Sequence, residues 1–121
     1  MRDKKLYLIH ILECIGDIDE YAGGNRERLL TSKLAQDATL RKLQVMAQSI
    51  LRLPKSWKDA HPEVNWRAIR GFRSVIVHDY FEVDIDQVWH IVADDLPPLR
   101  RAVEDMLSAL DAPSHPPIPA D

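Results

Sequence analysis

Leu8, Ile11, Ile15 and Ile18 recur at steps of three or four residues, with Leu12 on the flank of the same stripe. A period near 3.6 gathers such a set on one side of a helix and would scatter it over both faces of a strand. Asp17, Asp19 and Glu20 fall on the other faces, so residues 3–22 are predicted to form an amphipathic helix. The same period returns in Leu34, Ala38, Leu43, Ala47 and Ile50, then in Ile69, Phe72, Val75 and Ile76. It returns again in Val88, Ile91 and Val92, and in Val103, Met106, Leu107 and Leu110. A chain patterned this way throughout closes a core only by packing helix on helix. The predicted fold is therefore all-α, an antiparallel bundle of four long helices plus a short one, with residues 1–111 as a single domain.

Turn residues set the boundaries. Gly23-Gly24-Asn25 ends the first helix because glycine and asparagine accept the left-handed cap conformation. Arg26 to Leu30 is read as a short turn, and Thr31 or Ser32 caps a second helix running to Leu51. Pro54 and Pro62 enclose a linker, Lys55 to His61, with room for a short turn. Glu63 or Asn65 caps a third helix from Trp66 to His78. Asp84, with Gln87 three residues on, resembles a capping box for a fourth. Pro97-Pro98 is expected to break or kink it before Leu99 to Leu110 continues as helix. The tail, residues 112–121, holds four prolines and little to bury, and is expected to be disordered.

Composition narrows the function classes. Hydrophobic residues at 45% and charged residues at 29% describe an ordinary globular chain. Cys14 is the single cysteine, so an internal disulfide or a multi-thiolate zinc site is impossible. No apolar run approaches the roughly 18 residues of a membrane span. Arg2, Asp3, Lys4 and Lys5 do not begin a secretory signal, so a cytoplasmic protein is expected. The net charge of -3 argues against a general nucleic-acid coat. Charge is nonetheless segregated: residues 41–73 hold eight Arg/Lys against two acids, and residues 74–111 hold nine acids against two arginines. One surface can attract phosphate while another repels it, or the charges can simply solvate helix faces.

The third predicted helix is the chemically loaded one. At about 100° per residue, Ile69, Phe72, Val75 and Ile76 share one arc, and Arg67, Arg70, Arg73, Ser74 and His78 share the opposite one. Trp66 and Val77 interrupt that polar face, and an apolar pair among arginines fits a second protein surface; a homodimer is expected. Cutting RNA without a metal requires a base to take the 2′-hydroxyl proton, an acid for the leaving oxygen and a cation for the phosphorane. Histidine titrates near neutrality and arginine grips phosphate through a planar fork, so His78 and Arg73 match those roles. Ser74 or Tyr80 can add hydrogen bonds, Arg67 and Arg70 can bind RNA, and neither a cofactor nor a metal is required.

Five residues apart on an ideal helix, Arg73 and His78 are separated by about 140° around the axis. Either the helix unwinds near His78 or two copies meet and share a cleft; the composite cleft also accounts for Val77. Two rival readings stand beside this one. The Arg, His and Tyr can cap carbonyls and pair with Glu82 or Asp84 in a purely helical binding module. Alternatively, His78-Asp79 can form the dyad of an HD-type metal phosphohydrolase with His61 and Asp94 or Asp95, which leaves Arg73 and Tyr80 unexplained. His10, His90 and His115 are read as surface or packing residues, and Trp57 and Trp89 as core or interface.

Arg73, four residues, His78, one residue and Tyr80 match the R-x4-H-x-Y motif of the HEPN superfamily. The chain resembles in particular the HepT-like ribonuclease toxins of type VII toxin–antitoxin modules. The likeness extends from the first helix to about Leu110. It is most specific in Val64-Asn65-Trp66-Arg67, Gly71-Phe72-Arg73, His78 to Asp84, Val88-Trp89 and Asp95-Leu96-Pro97. The resemblance implies a homodimeric, metal-independent endoribonuclease whose cleft unites Arg73 and His78 from two chains. It also implies a cognate minimal nucleotidyltransferase antitoxin that transfers AMP from ATP to Tyr80, excluding RNA by charge and volume. Where the family usually has Asn, this chain has Ser74, which reaches less far. That departure suits a weakly active or inactive binding partner of a nucleotidyltransferase as the alternative.

Overall fold

The computed structural model describes residues 2–22, 24–78 and 84–111, with the side chains of all but 2, 3 and 73–78. The elements are α1 (Arg2–Ala22), α2 (Arg26–Thr31), α3 (Lys33–Leu51), α4 (Lys55–Asp59), α5 (Trp66–His78) and α6 (Ile85–His90). A π-helical segment (Ile91–Asp95) and α7 (Leu96–Asp111) follow α6 without interruption, so the three form one long element. Among the described residues there is no strand, and no helix is long and apolar enough to cross a membrane. The expected four long helices are present. Two short ones, α2 and α4, stand where one short helix and turns were expected. The expectation for residues 112–121 falls outside the described residues.

Side-chain chemistry explains the boundaries. Gly24 takes φ of 60°, and the Asn25 N–H donates to the Ala22 carbonyl at 2.9 Å, closing α1. Asn25 Oδ1 then accepts from the Glu27 and Arg28 N–H groups and starts α2. Of the two candidate caps for α3, Ser32 takes the role, its Oγ accepting from the Ala35 N–H at 3.1 Å. The Thr31 hydroxyl turns back to the Glu27 carbonyl at 2.8 Å. Asn65 rather than Glu63 caps α5, accepting from the Ala68 N–H at 3.1 Å. Asp84 caps α6 by accepting from the Asp86 and Gln87 N–H groups.

Much of the core comes from the apolar set the period singled out, although the side chains of Val75 and Ile76 fall outside the described residues. Leu8, Ile11, Ile15 and Ile18 of α1 are at most 2% exposed and pack with Leu43 and Met46 of α3, Ile69 and Phe72 of α5, and Leu99 and Val103 of α7. Cross-helix pairs give the directions. Along α1 against α3, His10 meets Ser49 at 2.6 Å and Asp17 meets Lys42 at 2.9 Å, so the two run antiparallel. Against α7, Lys5 meets Asp111 and Asp19 meets Arg100, again antiparallel. Trp57 and Trp89 are partly buried against this core.

Three expectations require correction. Leu34 is 80% exposed, not inward. At about 100° per residue Leu34 stands about 180° from Leu43, whereas Ala35 and Thr39 stand within about 80° of it and take the inward positions of the first turns of α3. Trp66 does not stand among the arginines as an open apolar residue: it is partly buried against the core, and its Nε1–H donates to the His61 carbonyl at 3.0 Å. Of the break or kink expected at Pro97-Pro98, the break is absent. Two consecutive prolines bring no N–H for α-type bonds, and their rings clash with carbonyls four residues back. The π segment resolves this, with the Leu96 N–H reaching the Ile91 carbonyl, and both prolines sit in the first turn of α7, where missing donors cost least.

Candidate functional site

α5 is fixed at its start and from beneath. Asn65 caps its start, the Trp66 indole ties its first turn to the preceding loop, and Ile69 at 0% and Phe72 at 2% exposure anchor its inner face on the core. α3 is the element it packs against most. That anchoring leaves Arg67 and Arg70 exposed, as the arc of polar residues requires.

Arg73, Ser74 and His78 lie on the backbone of α5, which is α-helical through His78. Their side chains, and that of Val77, fall outside the described residues, as does all of Asp79 to Val83 including Tyr80. The helical backbone bears on the geometry. A continuous α-helix holds the positions of Arg73 and His78 about 140° apart, whereas Arg70 lies about 60° from Arg73 on one side and about 40° from Ser74 on the other. Chemically, α5 thus offers a row of guanidinium-bearing positions with an imidazole position at its C-terminal end.

The surroundings of α5 are basic on the side of α4. Burial first, and then the neighbouring Arg70 guanidinium, hold the Lys58 ammonium below the usual lysine range, with Asp59 opposing. Lys58 and Arg70 both line a recess whose walls are Ala47, Ile50, Leu51, Trp66 and Ile69. Opposite in character is the loop before α5, where a hydrogen bond from His61 holds the Glu63 carboxyl below its ordinary value. His61 and Asp94, two of the further ligands named for a His78-Asp79 metal site, are engaged in pairs of their own, with Glu63 at 2.8 Å and with His90 at 2.7 Å. Among the described residues no three His, Cys, Asp or Glu side chains converge.

Two features were not found by sequence reasoning. Lys58 was placed only in a linker, and nothing in its local pattern signals the approach to Arg70, which depends on how α4 folds over the end of α3. A polar chain also crosses α1 and α3: His10 joins the Ser49 hydroxyl at 2.6 Å and approaches the Cys14 sulfur at 3.6 Å. The spacing of His10 and Cys14 on one helical row was visible, and the partner on α3 was not.

Comparison with known proteins follows from this geometry. The family model described as "Ribonuclease HepT-like" matches residues 11–106. A protein of Thermococcus cleftensis named "Probable ribonuclease HepT" is 33% identical over 106 residues, covering 87% of this chain and 96% of that protein. A Caldanaerobacter subterraneus protein named "Putative RNase" is 30% identical over 108 residues, covering 88% and 96%. A Methanocaldococcus jannaschii protein named as both a gamma-glutamylcyclotransferase and an RNase of the same "putative" standing is 32% identical over 111 residues; they span 91% of this chain but 50% of that protein. No solved structure matches the chain.

Proposed function

This chain belongs to the HepT-like ribonuclease family, and from that premise we propose that it is a metal-independent endoribonuclease acting as the toxin of a toxin–antitoxin pair. Its site is a cleft between two copies, in which Arg73 of one chain and His78 of the other converge on one RNA phosphate. The observation that supports the shared cleft most is the α-helical backbone through His78. With the positions about 140° apart, one straight helix presents the guanidinium and the imidazole to different sides. A two-fold pair of helices brings an arginine position of each copy against a histidine position of the other.

The chemistry balances without a metal. Neutral His78 takes the proton of the 2′-hydroxyl as its oxygen attacks phosphorus. Arg73 holds the charge on the non-bridging oxygens. The imidazolium so formed on that His78 returns the proton to the departing 5′-oxygen. The products are a 2′,3′-cyclic phosphate and a 5′-hydroxyl. Arg67 and Arg70, both exposed, hold the flanking strand in this reading. Silencing proceeds on Tyr80: its hydroxyl attacks the α-phosphorus of ATP on a cognate nucleotidyltransferase, pyrophosphate leaves, and a tyrosyl-AMP phosphodiester remains. That adds negative charge and bulk beside a cationic site.

The test is cleavage of RNA by the purified chain, free of partner and in excess chelator. Wild type cleaves and His78→Ala does not, while both keep the same oligomeric state. Equal activity in the two removes His78 from the mechanism. Ser74 favours a second reading, an inactive chain that only binds its nucleotidyltransferase, because its hydroxyl reaches less far than the Asn usual in the family. Wild type without cleavage but with a stable nucleotidyltransferase complex establishes that reading instead.

A further inference from the structure

α4 carries its own cation to the flank of α5. Lys58 Nζ donates to the Ile50 carbonyl at the end of α3, at 3.5 Å, and its other two donors have no partner among the described residues. Across the seam stands Arg70. Neither has an ion-pair partner among the described residues, although the chain makes at least eight such pairs elsewhere. Lysine and arginine side by side repel each other, and Asp59 offsets only part of that repulsion. Partial burial of Lys58 adds to that cost, and one long bond to a carbonyl does not repay it.

The recess between them has a volume of about 20 Å³, with walls from Ala47, Ile50, Leu51, Trp66 and Ile69. It is room for about one water and too small for a phosphate, so an anion would sit at its mouth. Apolar walls behind two cations reduce screening and strengthen their joint pull on such an anion. The site is also in register with the chemistry. On α5, the backbone position of Arg70 precedes those of Arg73 and Ser74 by about 4.5 and 6 Å along the axis.

We infer that Lys58 and Arg70 form a phosphate-binding subsite that holds the RNA strand adjacent to the bond being cut. The inference rests on the ribonuclease reading and extends it to a residue on a different helix. Lys58 and Arg70 are positioning residues: they grip a flanking phosphate and leave the scissile one to the shared cleft. One phosphate neutralises both cations, so the two contribute as a unit.

The experiment separates this subsite from the reading beneath it. Binding of a short fluorescent single-stranded RNA is measured against salt with His78→Ala as background, alongside cleavage by chains carrying native His78. Lys58→Gln is expected to weaken binding by roughly five- to tenfold at low salt, and to flatten the slope of log affinity on log salt by about 0.7. Lys58→Arg restores both. Lys58→Gln with Arg70→Gln is expected to be less than additive, and in cleavage Lys58→Gln raises KM with little change in kcat. Circular dichroism and thermal unfolding confirm that each variant is folded. Unchanged affinity and slope in Lys58→Gln, with wild-type cleavage intact, overturn the subsite alone. A wild type that neither binds nor cleaves RNA overturns both readings. Loss of nucleotidyltransferase binding in Lys58→Gln, with RNA binding intact, assigns the surface to a protein and also overturns the proposal.

Discussion

Phe72→Leu and Arg70→Gln sit two residues apart on α5 and are expected to fail in opposite ways. Phe72 is 2% exposed and is one of the largest fully buried side chains, wedged where α5 meets the core. Replacing its ring with an isobutyl group keeps the position apolar but removes contact area and leaves a small void. The cost is about 1–2 kcal/mol, the difference between typical Phe and Leu truncations at such sites. For a chain of 121 residues that corresponds to a Tm lower by about 5–10 °C. Arg70 is exposed and without an ion pair among the described residues, so its loss stays within about 0.5 kcal/mol. Thermal unfolding by circular dichroism, followed by RNA cleavage per folded molecule at 25 °C, reads both. The expected pattern is a low Tm with retained affinity for Phe72→Leu, and an unchanged Tm with weakened RNA binding for Arg70→Gln. A Phe72→Leu protein melting within about 1 °C of wild type, or an Arg70→Gln protein falling as far as Phe72→Leu, would reverse the inner and outer faces of α5.

Two further outcomes follow from groups away from the site. Thr39 is fully buried and its hydroxyl has no hydrogen-bond partner among the described residues, so Thr39→Val, of nearly the same shape, is expected to gain about 1 kcal/mol in denaturant unfolding; a loss of stability would show that the hydroxyl is bonded. Burial, against the opposing charge of His90, pushes the Asp95 carboxyl up from its ordinary value, so the folded chain holds that proton more tightly than the unfolded one. The charged form is the penalised one, and stability falls as pH rises through the window from about 3.9 to the raised value. Asp95→Asn is accordingly expected to be slightly more stable than wild type at pH 7, by about 0.5 kcal/mol or less given how much of the group solvent still screens, and equal to it near pH 3; a difference that grows on acidification contradicts the assignment.

Period and turn chemistry carried most of the architecture. Ile69 and Phe72 were legible as the inner face of α5 because their spacing is local, and Ser32, Asn65 and Asp84 were legible as caps or as one of two candidates because a cap needs only its next three residues; Asn25 was read as the end of α1 and not as the start of α2. Where tertiary contacts decide, the pattern fell short. Leu34 was grouped with Leu43 and Ile50, although at about 100° per residue it projects about 180° from Leu43, and it is 80% exposed. Trp66 falls on the polar arc in projection, and its long side chain instead turns to the His61 carbonyl and the core. Pro97-Pro98 reads as a helix breaker unless one knows that a π turn can precede it. For the site, the R-x4-H-x-Y spacing was visible and placed Arg73 and His78 on one helix. Lys58 was invisible as a functional residue, since its nearness to Arg70 arises from α4 crossing the end of α3.

The two-chain cleft is tested most directly by mixing two dead proteins. Arg73→Ala and His78→Ala chains are each expected to be inactive on RNA alone. Unfolded together and refolded, half of their dimers pair one of each, and in those one site regains an arginine from one chain and a histidine from the other. Cleavage should return to about one quarter of the wild-type rate per chain, as two-fold symmetry dictates. A mixture as inactive as its components, with heterodimers demonstrated by mass, would place both groups within one chain and contradict the account.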